Sequence, residues 1–136
     1  MKNSNSFTVC LIDDDRIYQF TAKRIIQLIN PQQKILTFFN GKEALDFFSQ
    51  NPLSVDQLPD LIFLDINMPV MNGWEFLEAY TLVKENLMKK INIYMVSSSV
   101  DENDKLRSKD FDEVKDFIVK PIDKERITAI LQLSQS

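Results

Sequence analysis

The chain has 136 residues, 44% of them hydrophobic, and a net charge of −4. That is the size of one domain with a single core; the acidic balance argues against nucleic acid as a partner, and no apolar stretch reaches membrane-spanning length. The sequence has no histidine, which excludes Ser-His-Asp and Cys-His catalysis, histidine-bearing metal sites and a phosphohistidine within the chain.

Residues 1–6 are polar, without the apolar core of a signal peptide, and read as a flexible tail on one domain spanning 1–136. Cytoplasmic localisation is the simplest expectation, and the single Cys10 fits a buried thiol in a reducing compartment. Residues 7–12 form an apolar run expected as the first strand. From Asp15 onward Ile17, Phe20, Ile25, Leu28 and Ile29 recur at helical spacing until Pro31 stops the pattern. Residues 35–39 read as strand two, and Asn40-Gly41 opens a short helix carrying Ala44, Leu45, Phe47 and Phe48.

A polar loop over 51–59 leads to strand three, Leu61-Ile62-Phe63-Leu64, with Asp65 at its end. A helix follows from Trp74, with Phe76, Tyr80, Val83 and Leu87 on one face. Residues 91–96 and 117–119 are strands four and five. Between them 101–111 is polar, with Leu106 and Phe111 as anchors. Asp123 is placed to cap a closing helix whose apolar face is Ile127, Ile130 and Leu131. Strands alternating with helices imply a doubly wound, flavodoxin-like α/β fold, with five parallel strands in the order 2-1-3-4-5 and helices on both faces. Ligands in such sheets bind beyond the carboxyl ends of the strands, at the switch point between strands one and three.

That point brings Asp13-Asp14-Asp15 towards Asp65. Like charges about 4 Å apart repel by roughly 4 kcal/mol at an effective dielectric near 20, and a divalent cation removes the conflict. All-oxygen ligands suit Mg²⁺. Aspartates at this place also cap the first helix, a role that fits Asp15 best. Ser97, first of three serines after strand four, offers a hydroxyl to the same crevice, with Ser98 its substitute if the register slips by one. Lys120, before Pro121, offers a point charge. Together these groups suit a carboxylate nucleophile: Asp65 accepts a phosphoryl group, Mg²⁺ and Lys120 neutralise it, and Ser97 hydrogen-bonds it.

The motifs Leu11-Ile12-Asp13-Asp14-Asp15, Asp60-Leu61-Ile62-Phe63-Leu64-Asp65-Ile66-Asn67-Met68-Pro69 with Asn72-Gly73, Val96-Ser97-Ser98 and Ile118-Val119-Lys120-Pro121 resemble the receiver domain of two-component response regulators. The resemblance implies phosphoryl transfer to Asp65 from a histidine of a sensor kinase or phosphotransfer protein. It also implies Mg²⁺ held by Asp14, Asp65 and the Asn67 carbonyl, with Asp13 acting mainly through water. It makes Ser97 the switch hydroxyl and Phe117 the switch aromatic, and Lys120-Pro121 a cis bond. Output goes to a protein partner through the fourth helix, strand five and last helix, a face that also serves homodimers. Two departures fall on that face: Glu113-Val114 replaces a frequent Gly-Ala pair, and the fourth helix is unusually polar. Trp74 is a fluorescence reporter near the site.

Three other readings fit less well. A haloacid-dehalogenase-type phosphatase needs an acidic residue two positions after the nucleophile, where this chain has Asn67. A non-phosphorylated pseudo-receiver does not require five converging polar groups. A fragment of a larger regulator is disfavoured by the start at Met1 and the polar end.

Overall fold

The computed structural model describes residues 7–135; the expected tail over 1–6 lies outside them. Five parallel strands, β1 (Thr8–Ile12), β2 (Lys34–Phe38), β3 (Leu61–Asp65), β4 (Asn92–Ser97) and β5 (Val114–Val119), form one sheet in the order β2-β1-β3-β4-β5. The fold class and strand order are those read from the sequence. The strand pleat sends alternate residues to opposite faces. Cys10, Ile12, Ile62 and Leu64 meet α2 (Gly41–Gln50) and α3 (Gly73–Val83) on one side. Val9, Leu11, Leu61 and Phe63 meet α1 (Arg16–Ile29) and α5 (Lys124–Gln135) on the other. Burial on both faces is why β1 and β3 read as unbroken apolar runs.

The first helix corrects the sequence reading. Ile17, Phe20 and Leu28 are largely exposed, and the buried stripe is Gln19, Ala22 and Ile26. A polar pin sets this phase. Gln19 Nε2 donates to the carbonyls of Phe38 (2.7 Å), Asp13 (3.0 Å) and Leu11 (3.4 Å). One buried amide thus ties α1 to the carboxyl ends of β1 and β2, and the helix rolls to accommodate it.

Strand five begins at Val114 rather than 117, because it is an edge strand where exposed Lys115 and Asp116 are tolerated. The third helix ends at Val83, a 3-10 turn (Lys84–Asn86) follows, and Leu87 reaches the core from beyond it. α4 (Glu102–Ser108) buries none of its residues. Leu106 is exposed, so Phe111, just past the helix, is its only apolar anchor of the two expected. Asp123 caps α5 as expected, accepting from Arg126 N–H at 2.8 Å. Among the described residues no helix is long and apolar enough to cross a membrane.

Glu113, expected on the output face, is 4% exposed at the amino end of β5. Its Oε1 accepts from Lys84 Nζ at 3.0 Å, and Oε2 is buried without a hydrogen-bond partner among the described residues. Removing the lysine strands a buried carboxylate, whereas neutralising the glutamate frees a lysine that reaches water. Lys84→Met is therefore expected to cost about 1–3 kcal/mol in urea denaturation, and Glu113→Gln less. The reverse ranking would contradict this reading of the pair.

Candidate functional site

Register brings the site together. Ile12 lies beside Leu64, Asp65 beside Val96, and Ser97 beside Val119, so the next residues of the strands share one crevice. Lys120 N–H donates to the Ser97 carbonyl at 2.8 Å, fixing where the lysine leaves the sheet. The Lys120–Pro121 bond is cis.

Asp13 and Asp65 are buried, and Asp14 is exposed at the mouth. Each of the three offers a carboxylate oxygen, and these oxygens lie within 4.8 Å of one another. Lys120 Nζ is 2.9 Å from Asp13 Oδ2 and 3.7 Å from Asp65 Oδ1. Asp13 Oδ1 accepts from Asp15 N–H at 2.9 Å, and Asp65 Oδ1 from Asn67 N–H at 3.4 Å. Asp15 itself caps α1, its carboxylate accepting from the N–H groups of Ile17 and Tyr18. The acidic, all-oxygen cluster fits a hard divalent cation such as Mg²⁺.

The loop after β3 is shaped by two backbone constraints. A Cβ on Gly73 would stand 2.8 Å from the Asp65 carbonyl oxygen and 2.9 Å from Ile66 Cα, so only glycine lets α3 begin against the end of β3. Asn72 then caps α3 in a reciprocal box with Glu75. Val70 has φ of 70° at the centre of a γ-turn closed by Met71 N–H to the Pro69 carbonyl at 2.7 Å. A β-branched residue there is strained by about 1–3 kcal/mol.

Ser97 is buried at the tip of β4, with its hydroxyl donating to the Ser99 carbonyl at 2.7 Å. Ser98 is exposed, so the register did not slip. Phe117 is half-buried and packs on Trp74, ring centroids 6.4 Å apart. Trp74 also meets Phe111 at 6.3 Å and lies under the Arg107 guanidinium of α4, 4.7 Å from the ring centroid. The tryptophan therefore reports on the contact between Phe117 and α4 more directly than on the carboxylates. Sequence reading missed Tyr18, whose ring lies 4.4 Å from Lys120 Nζ. An aromatic at helical spacing carries no mark that separates it from core.

A sequence model of the response regulator receiver domain matches residues 9–132. The chain belongs to this family. Receiver domains are the phosphoryl-accepting switches of two-component signalling. Similar relatives include the sensor histidine kinase CheAY of Helicobacter pylori, 29% identical over 134 residues, which cover 98% of this chain and 16% of that protein. The nitrate/nitrite response regulator protein NarL of Escherichia coli is 33% identical over 98 residues, covering 72% of this chain and 42% of NarL. This chain thus spans less than half the length of either relative. Among solved structures, a two-component response regulator from Cytophaga hutchinsonii superposes with a TM-score of 0.82 at 27% identity, covering 93% of this chain and 95% of that one. One from Legionella pneumophila gives 0.82 at 25% identity, covering 95% and 98%.

The electrostatics of this receiver follow from burial. Burial, then the charge of Asp13, push the Asp65 pKa from 3.8 up to about 7, against the pull of Lys120 and Asn67 N–H. Asp13 is also raised, burial again outweighing its contacts with Asp15 N–H and Lys120. Burial works against the charge on Lys120, but Asp13 and then Asp65 outweigh it and hold its pKa above the ordinary value.

In metal-free protein, folded Asp65 keeps a proton that the unfolded chain loses near its ordinary value. The contribution of Asp65 to stability therefore falls as pH rises from about 4 to about 7 and levels off above. Asp65→Asn removes that group. In EDTA the variant is expected to be more stable than wild type by about 1–3 kcal/mol near pH 8, with the gain fading towards pH 4. Urea denaturation at both pH values checks this, and a gain independent of pH would contradict it.

Proposed function

We propose that Asp65 accepts a phosphoryl group from a phosphohistidine on a sensor histidine kinase or histidine phosphotransfer protein, in the cytoplasm, and that this chain passes the change to a protein partner. The observation that carries this reading is the convergence of Asp13, Asp14 and Asp65 with Lys120 at the carboxyl end of the sheet. A carboxylate oxygen of Asp65 attacks phosphorus while the bond to the donor imidazole breaks. None of these 136 residues is a histidine, so the donor imidazole lies outside them.

Lys120 already stands between Asp13 and Asp65 and meets the negative charge that gathers on the transferred oxygens. Asp14, Asp65 and the Asn67 carbonyl would hold Mg²⁺, with Asp13 assisting mainly through water. When bound, the ion neutralises phosphoryl charge that the carboxylates alone would repel. Ser97 donates to a phosphoryl oxygen once it releases the Ser99 carbonyl. That exchange shifts the 98–101 loop leading to α4 and gives the Phe117 ring space to move against Trp74.

α4 buries no residue of its own, so repositioning it costs little, and phosphorylation acts by population shift. The surface of α4, β5 and α5 is where a downstream protein, or a second copy of the chain, reads the state. On this reading acetyl phosphate with Mg²⁺ adds one phosphoryl group to wild type by intact mass and none to Asp65→Asn, and EDTA abolishes the addition. Equal labelling of the variant would overturn Asp65 as acceptor.

A further inference from the structure

Tyr18 takes no part in the scheme above, yet it touches the group on which that scheme depends. The Lys120 ammonium lies 2.9 Å from Asp13 Oδ2, 3.7 Å from Asp65 Oδ1 and 4.4 Å from the centroid of the Tyr18 ring, over its face. The ring packs against the core shared by α1 and α5. Its hydroxyl is buried without a hydrogen-bond partner among the described residues. The phenol oxygen therefore does not anchor the residue. Burying it costs free energy that phenylalanine would avoid, and what the site uses is the ring face.

A lysine at this point has a difficulty that the ring solves. Its stem is flexible, its head is strongly hydrated, and the nearer carboxylate is Asp13 rather than the acceptor. Left to those two charges, the ammonium has no third wall to hold it in the crevice. An aromatic face attracts the cation through its quadrupole while keeping water from that side. The charge then acts on Asp65 through less solvent, where it is worth more as negative charge develops.

We propose that Tyr18 is a positioning residue whose ring face holds the Lys120 ammonium between Asp13 and Asp65 in readiness for the phosphoryl group. The inference rests on the reading of Lys120 given above, but one of its tests does not. Protons above an aromatic face resonate upfield, so the ε-methylene protons of Lys120 report the contact directly by NMR, without any phosphoryl donor. They are expected upfield of ordinary lysine in wild type and in Tyr18→Phe, and at the ordinary position in Tyr18→Leu and Tyr18→Met.

Labelling by acetyl phosphate with Mg²⁺ is the second readout. Losing the face is expected to slow it about 5- to 30-fold in both aliphatic variants, while Tyr18→Phe restores it to within about twofold of wild type. Methionine fills the ring's space without a π face, so a folding defect peculiar to leucine does not decide the outcome. An ordinary Lys120 shift in wild type, or wild-type labelling rates in the aliphatic variants, would overturn the proposal. So would a phenylalanine variant as slow as the aliphatic ones. A wild type that shows the upfield shift but does not label overturns Asp65 as acceptor and leaves the hold on Lys120 standing.

Discussion

Two buried carboxylates, Asp13 and Asp65, share one crevice with a single lysine between them. Much of the surrounding structure serves to keep them there. Left in water, these groups would separate and hydrate. Held together they repel, and burial with the charge of Asp13 pushes the Asp65 pKa up to about 7. The arrangement is costly for the empty fold and favourable once positive charge arrives, which is the property expected of a receiving site.

The rest of the molecule supplies the rigidity this requires. Parallel pairing fixes the strand tips, Gln19 pins α1 to three carbonyls at the same end of the sheet, and the absent side chain of Gly73 lets α3 start against Asp65 itself. The strained Val70 turn lies in the same loop. Firm elements therefore surround the carboxylates at the ends of β1 and β3, while α4 has no buried residue of its own. Beside α4 the Ser97 hydroxyl holds the Ser99 carbonyl, and Trp74 joins the Phe117 ring to Arg107.

The convergence of Asp65, the acidic cluster and Lys120 was legible in the sequence because each ends or follows a strand, and strand order alone brings strand tips together. The core strands were legible because burial on both faces leaves continuous apolar runs. Sequence failed where a polar side chain does the work of an apolar one. Gln19 overrode the Ile17, Phe20 and Leu28 stripe and turned it to solvent. Glu113 read as surface because its partner, Lys84, lies 29 positions away. Strand five was read short because its charged residues sit on an exposed edge, and Tyr18 was indistinguishable from core until Lys120 was seen above its ring.

The central claim is that one carboxylate, Asp65, takes the phosphoryl group while its neighbours do not. Borohydride reduces an acyl phosphate to the alcohol, leaving homoserine where the phosphorylated aspartate stood. After treatment with acetyl phosphate and Mg²⁺ followed by borohydride, peptide sequencing by mass spectrometry is expected to find homoserine at position 65 and aspartate unchanged at 13 and 14. Homoserine at 13 or 14, or at none of the three, would contradict the account.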